Sequence, residues 1–194
     1  FERGTMMLLL AYPVTRWQIV LGKFLGHTLI LLIAILGGYG GTVVILTLAT
    51  GGGTEGWQAY ALMMASSLVL GAVFIALGYF VSTIVRERAT AVGAAIGLWL
   101  VFVVLYDLLL FGLLTMEEEQ KIGQQLFSML MLVSPTDTYR VLNLSLFEGV
   151  SEAAGIAGVA SEAGLGGSLI VEDMLVWIIL PLGATVLLFQ RREL

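Results

Sequence analysis

Few side chains in this chain of 194 residues could do chemistry, and each of them stands nearly alone. Asp107 is the one acid set deep in an apolar run, with Tyr106 beside it. A carboxylate inside a membrane costs roughly 2.5–3.5 kcal/mol on insertion scales, so it is kept for a partner or a task. Two readings stay open: a functional intramembrane acid, or a structural group that reaches the outer headgroups or a neighbouring helix. His27 is the only histidine, about one turn inside the first long apolar stretch and close to Lys23. A zinc site needs several His, Cys or carboxylate ligands, and the chain has no cysteine and no second histidine. A hydrogen bond between helices is the plainer role for His27. Eight methionines offer soft sulfur of the kind that binds Cu(I), but only Met63/Met64 and Met129/Met131 are clustered. Methionine is also ordinary filler among apolar helices, so no metal site is expected.

Nucleotide and hydrolase chemistry are missing too. Gly22-Lys23 is followed by Phe24, where an ATP-binding loop needs a Ser or Thr for magnesium, and the full Gly-x-x-x-x-Gly-Lys-Ser/Thr pattern does not occur. A serine hydrolase built on His27 would want a Gly-x-Ser-x-Gly elbow, which is also absent. No catalytic residue is expected, and the chain does not read as an enzyme.

The elements that carry these residues belong to a membrane. Hydrophobic residues make up 59% and charged residues 12%, against roughly 25% charged in a soluble domain, and the mean hydropathy is +1.00. Four apolar runs reach the ~20 residues that a bilayer requires: about 26–49, 57–85, 89–114 and 169–189. With no alternating strand pattern, the expected class is an all-α polytopic membrane protein. Seven of the nine Lys and Arg residues (Arg3, Arg16, Lys23, Arg86, Arg88, Arg191, Arg192) fall on one side of these runs. The positive-inside bias puts that side, with the C-terminus, in the cytoplasm, and the 115–168 region on the opposite face. Gly22/Gly26, Gly37/Gly41 and Gly93/Gly97 are small-xxx-small pairs that suit close helix contacts. The dense cluster Gly37-Gly38-Tyr39-Gly40-Gly41 leaves room for a flexible point in the first span.

Residues 1–21 are too mixed to cross. Met6 to Leu10 make a helical turn or two, Pro13 interrupts it, and Thr15 with Gln18 forms a capping-box pattern that starts the helix entering the bilayer. Read from periodicity, this is a short amphipathic helix at the surface, or simply a loop or interfacial helix before a span. Glu2, Arg3, Gly4, Thr5, Leu8, Leu9, Leu10, Pro13, Arg16, Gly22 and Lys23 carry a more specific pattern. In that order they resemble the cytoplasmic coupling segment of ABC transporter permeases of the type-two exporter class. Within the class, YDLLLFGLL (Tyr106 to Leu114) and SPTDTYRVLNL (Ser134 to Leu144) are most similar to the permeases that serve maturation of nitrous oxide reductase.

The resemblance implies a permease subunit that acts as a homodimer in the plasma membrane of a bacterium or archaeon. A separate ATPase subunit would hold ATP and magnesium and dock on Glu2, Arg3, Gly4, Thr5, Leu8, Leu9, Leu10, Pro13 and Arg16. The Arg86-Glu87-Arg88 turn would be a second, weaker contact. The chain starts at Phe1 and reads as a piece of a six-span permease, two spans preceding it. Residues 115–168 hold Glu117, Glu118, Glu119, Lys121, Asp137, Arg140, Glu148, Glu152 and Glu162. Ile122 to Val133 is too short to cross, and Ser134-Pro135-Thr136-Asp137 looks like a helix start, with Tyr139, Leu142, Leu146 and Phe147 near one face. That region is either a lid on the membrane surface or a platform for a periplasmic maturation protein or copper chaperone. An exporter of another small substrate (an ion, a drug or a lipid-like molecule) and a non-ABC carrier remain as alternatives. No nucleic-acid partner is expected.

Overall fold

The computed structural model describes residues 15–51, 57–116, 124–145 and 167–191. Those residues form helices and short turns, with no strand among them, and four helices are long and apolar enough to cross a membrane. Helix α1 runs Arg16–Thr50, α2 Trp57–Ile84, and α3 Arg88–Leu100. A π-helical turn over Val101–Leu105 joins α3 to α4, Tyr106–Met116. Two short helices come next, α5 (Gln124–Leu132) and α6 (Pro135–Ser145), before the last long helix, α7 (Gly167–Arg191).

Local sequence explains the boundaries. Thr15 has extended backbone, and its N–H donates to Gln18 Oε1 at 2.9 Å, so the Gln half of the capping box starts α1. α1 ends on Gly51, whose φ of 78° lies in the left-handed region that glycine adopts without penalty. α6 starts with proline at its first position, where the missing N–H costs nothing, and Ser134 Oγ accepts from the Asp137 N–H at 3.3 Å. Through Gly37–Gly41, the expected flexible point, α1 stays unbroken α-helix.

Packing falls into two cores, one at each end of the bundle. The near end, which carries Arg16, the 86–88 turn and Gln190, joins Val20 and Phe24 of α1 to Ala72 and Ala76 of α2 and Leu182 of α7. The far end joins Leu110 of α4, Met131 of α5, Val141 of α6 and Ile170 of α7. The predicted glycine pairs take no part in either. A Cβ built on Gly22, Gly26, Gly37, Gly41, Gly93 or Gly97 would meet no atom within 4 Å. The close approach comes instead at Gly71 of α2, against the Leu31 side chain of α1.

Candidate functional site

Polar groups concentrate around α6, which is the least apolar helix yet has the most buried start. Ser134, Pro135, Thr136, Asp137 and Thr138 are all buried. Backbone bonds from Val133 to Leu130 (3.1 Å) and from Ser134 to Met131 (3.3 Å) turn the chain sharply after α5 and send α6 back into the bundle. Side chains then tie α6 to three other helices. Arg140 Nη1 pairs with Asp107 Oδ1 of α4 at 2.5 Å and with Asp137 Oδ1 at 3.2 Å. Thr138 Oγ1 lies 3.0 Å from Asp173 Oδ2 of α7. Ser66 Oγ of α2 donates to Asn143 Oδ1 at 3.0 Å, and Ser67 Oγ shares a 3.0 Å bond with the Tyr139 hydroxyl.

Asp107 therefore has a partner that its own span does not contain. The π turn explains its aim, since one extra residue per turn rotates the downstream side chains relative to an unbroken α-helix. Tyr106 N–H reaches the Val101 carbonyl, and the Tyr106 hydroxyl donates to the Leu130 carbonyl at 2.6 Å. Phe102, inside the π turn, meets Trp177 of α7 edge-on with ring centroids 5.3 Å apart.

Asp137 is the surplus acid of the cluster. Its side chain is 1% exposed, Oδ1 shares Arg140 with Asp107, and Oδ2 finds no partner. Burial holds its carboxyl above the usual carboxylate range; the Ser134 and Arg140 hydrogen bonds and the Arg140 charge oppose that rise, and the Asp107 charge adds to it. Residues 117–123, 146–166 and 192–194 lie outside the described residues, and with them Glu117, Glu118, Glu119, Lys121, Leu146, Phe147, Glu148, Glu152, Glu162 and Arg192.

At the near end the predicted coupling residues Glu2, Arg3, Gly4, Thr5, Leu8, Leu9, Leu10 and Pro13 lie outside the described residues as well. Arg16 lies inside them, and it faces α7. Its Nη1 donates to the carbonyls of Phe189 at 3.0 Å and Gln190 at 3.1 Å, with Cζ 6.0 Å from the Phe189 ring centroid. Arg86, Glu87 and Arg88 form an exposed turn at this end, where Glu87 Oε2 accepts from Thr90 Oγ1 at 2.9 Å. His27 Nδ1 lies 2.8 Å from the Lys23 carbonyl and 2.8 Å from the Tyr79 hydroxyl of α2, so it sits where a helix-to-helix hydrogen bond is made. Among the described residues no group of three His, Cys, Asp or Glu side chains is placed to hold a metal.

Sequence reasoning named Asp107 and Arg16 but paired neither. The signal for Asp107 was present in the chain, because Arg140 is one of only two cations on the far side.

Known proteins place this arrangement. A family model described as ABC-2 family transporter protein matches residues 1–194. The probable ABC transporter permease protein NosY of Stutzerimonas stutzeri is 40% identical over 193 residues, which cover 98% of this chain and 70% of that protein. The protein of the same name from Pseudomonas aeruginosa PAO1 is 39% identical over 196 residues, covering 100% of this chain and 70% of the relative.

Proposed function

The chain belongs to the ABC-2 family of transporter proteins and is a membrane permease subunit of an ABC transporter; from that premise we propose that it converts ATP hydrolysis in a separate ATPase subunit into movement of the α5–α6 end of the bundle, in the service of copper-site maturation of nitrous oxide reductase. Family membership removes the non-ABC carrier from the alternatives. ATP and magnesium belong to the ATPase, which docks on residues 2–16 with the 86–88 turn as a second contact. Two copies of the permease work together, and the near end with the C-terminus faces the cytoplasm. Arg16, Lys23, Arg86 and Arg88 gathered at that end support this orientation. The α5–α6 end then faces a periplasmic maturation protein or copper chaperone.

The observation that carries the mechanical reading is the engagement of the polar groups with one another. Thr28 and Thr42 donate to carbonyls of their own helix, and Ser66 and Ser67 bond Asn143 and Tyr139. Asp107 is taken by Arg140. Donors spent in this way leave little to line a hydrophilic path. The NosY names of the two relatives support the maturation role. An exporter of a lipid-like substrate is the second reading, favoured by a groove of about 600 Å³ between α1 and α2 that is lined by Ala34, Ile35, Gly38, Tyr39, Thr42 and Tyr60.

Disruption of the full-length gene in its own host tests the proposal. Nitrous oxide reductase lacking its catalytic copper cluster, read from copper content and absorption spectrum, is the expected result. Fully metallated enzyme would refute the maturation role. Leu8→Asp is expected to abolish co-purification of the ATPase, and retained co-purification would refute the docking segment.

A further inference from the structure

We propose that Arg16 is the handle by which the coupling segment moves α7, and that α7 carries this movement to α6. The inference rests on the coupling role proposed for residues 2–16.

Arg16 is out of place by the rules of its own helix. It occupies the first position of α1, where the helix dipole is positive and a cation is unfavourable. No acid in the first turn of α1 compensates it. α7 supplies compensation through its last carbonyls, which lack intrahelical donors and carry the negative end of that helix's dipole. With Nη1 on the Phe189 and Gln190 carbonyls and the guanidinium over the Phe189 ring, Arg16 belongs covalently to α1 and electrostatically to α7. A displacement of the segment that ends at Arg16 therefore pulls on two helices.

Those two helices differ in what they can pass on. α1 is buried at Ile19, Val20 and Phe24, but from position 25 to 49 it has no buried residue. Among the described residues its far half touches α2 at points such as Tyr39 against Tyr60, with ring centroids 6.0 Å apart, and buries nothing. α7 is buried at both ends, through Leu182 and Thr185 near the handle and through Ile170 and Met174 at the far core. At the far end Asp173 Oδ2 shares the Thr138 hydroxyl of α6 with the Ser134 carbonyl, each 3.0 Å away, and Trp177 Nε1 donates to the Leu132 carbonyl of α5 at 3.4 Å. Pro181 lies between the two packed ends and removes one hydrogen bond from an otherwise continuous helix, which gives α7 a single point of bending. Arg16 acts here as a positioning residue: it fixes the C-terminus of α7 to whatever the ATPase moves.

These 194 residues hold no cysteine, so with any cysteine elsewhere in the full-length permease and its ATPase replaced by serine, one introduced at Val133, 51% exposed at the entry to α6, reports without background. The full-length permease carrying Val133→Cys is purified with its ATPase in lipid nanodiscs. Maleimide labelling is timed without nucleotide and after trapping with ATP and vanadate, and rates are expressed per ATPase bound. The expected change on trapping is about fivefold, the low end of ordinary coupling between sites. In Arg16→Gln most of that change is expected to vanish, and in Arg16→Lys, which keeps a donor, much of it returns. Thr138→Val, isosteric and remote from the ATPase, is expected to weaken the same response. A full response in Arg16→Gln overturns the handle, and an undiminished response in Thr138→Val overturns the α7-to-α6 link. A parent complex that holds the ATPase but shows no labelling change at position 133 overturns the route as a whole. A parent that fails to hold the ATPase overturns the underlying coupling role, a separate failure.

Discussion

At the near end α1, α2 and α7 meet through Val20, Phe24, Ala72, Ala76 and Leu182, whereas at the far end α6 meets its neighbours through Ser66, Asp107 and Asp173 as well as through an apolar core. The difference matters because lipid is as apolar as leucine, so apolar contacts between helices gain packing but little hydrophobic drive. Apolar surfaces of that kind tolerate small changes of tilt at little cost. Directional bonds do not, because a hydroxyl or guanidinium displaced by an ångström loses its acceptor. The apolar contacts of the near end are therefore suited to rearrangement about the Arg16–α7 and His27–Tyr79 bonds, and the far end to moving as a block.

Removing the cation at the centre of the far cluster should do the most damage. Arg140→Leu leaves Asp107 and Asp137 facing each other. Breaking a buried ion pair costs roughly 3–5 kcal/mol, and the 37% and 36% exposure of the Arg140 and Asp107 side chains brings the expected loss down to about 2–3 kcal/mol. Unfolding by SDS in bicelles, followed by tryptophan fluorescence, measures it. Phe24→Ala tests the near end by opening a cavity in the apolar core; the roughly 3–5 kcal/mol of such a change in a water-soluble core falls to about 2 kcal/mol where lipid removes the hydrophobic share. Phe24→Leu, which keeps most of the volume, should lose well under half of that. If Arg140→Leu proves milder than Phe24→Leu, the contrast between the two ends collapses.

Asp137 gives the far end a pH dependence of its own. A raised carboxyl favours the folded form while protonated. Its contribution is therefore complete below the ordinary carboxylate value and is lost as pH climbs through the raised one. Hydrogen exchange of the α6 amides, corrected for the intrinsic pH effect, should show α6 loosening over that interval, and Asp137→Asn should flatten the profile. The smallest expected effect is that of Tyr139→Phe, which removes the bond to Ser67 at about 0.6 kcal/mol, the average for interhelical bonds in membranes.

The all-α class and the four apolar helices were legible in the sequence because a bilayer imposes length and composition on contiguous residues. The Ser134-Pro135 start of α6 was legible for the same local reason, a cap followed by proline. Partners were not. Asp107 and Arg140 are 33 residues apart, and the hydrophobic pattern says nothing about which way a helix turns after Leu132. Arg16 finds backbone carbonyls 173 and 174 residues away, and every residue has such a carbonyl. The glycine pairs meet no neighbour among the described residues, because small residues permit a close approach without requiring one.

The π turn gives the gene a point of slack. Val101–Leu105 holds one residue more than an α-helical turn would use. If that turn became regular α-helix with all its residues kept, everything beyond it would rotate by about 100°, carrying Tyr106 and Asp107 away from Leu130 and Arg140. Loss of a single in-frame codon there removes the surplus residue instead, so α3 and α4 merge into one regular helix, still long enough to insert, with Tyr106 and Asp107 near their present faces. A reading-frame-preserving deletion at these five positions would then be milder than the same lesion in the regular turns of α2 or α7.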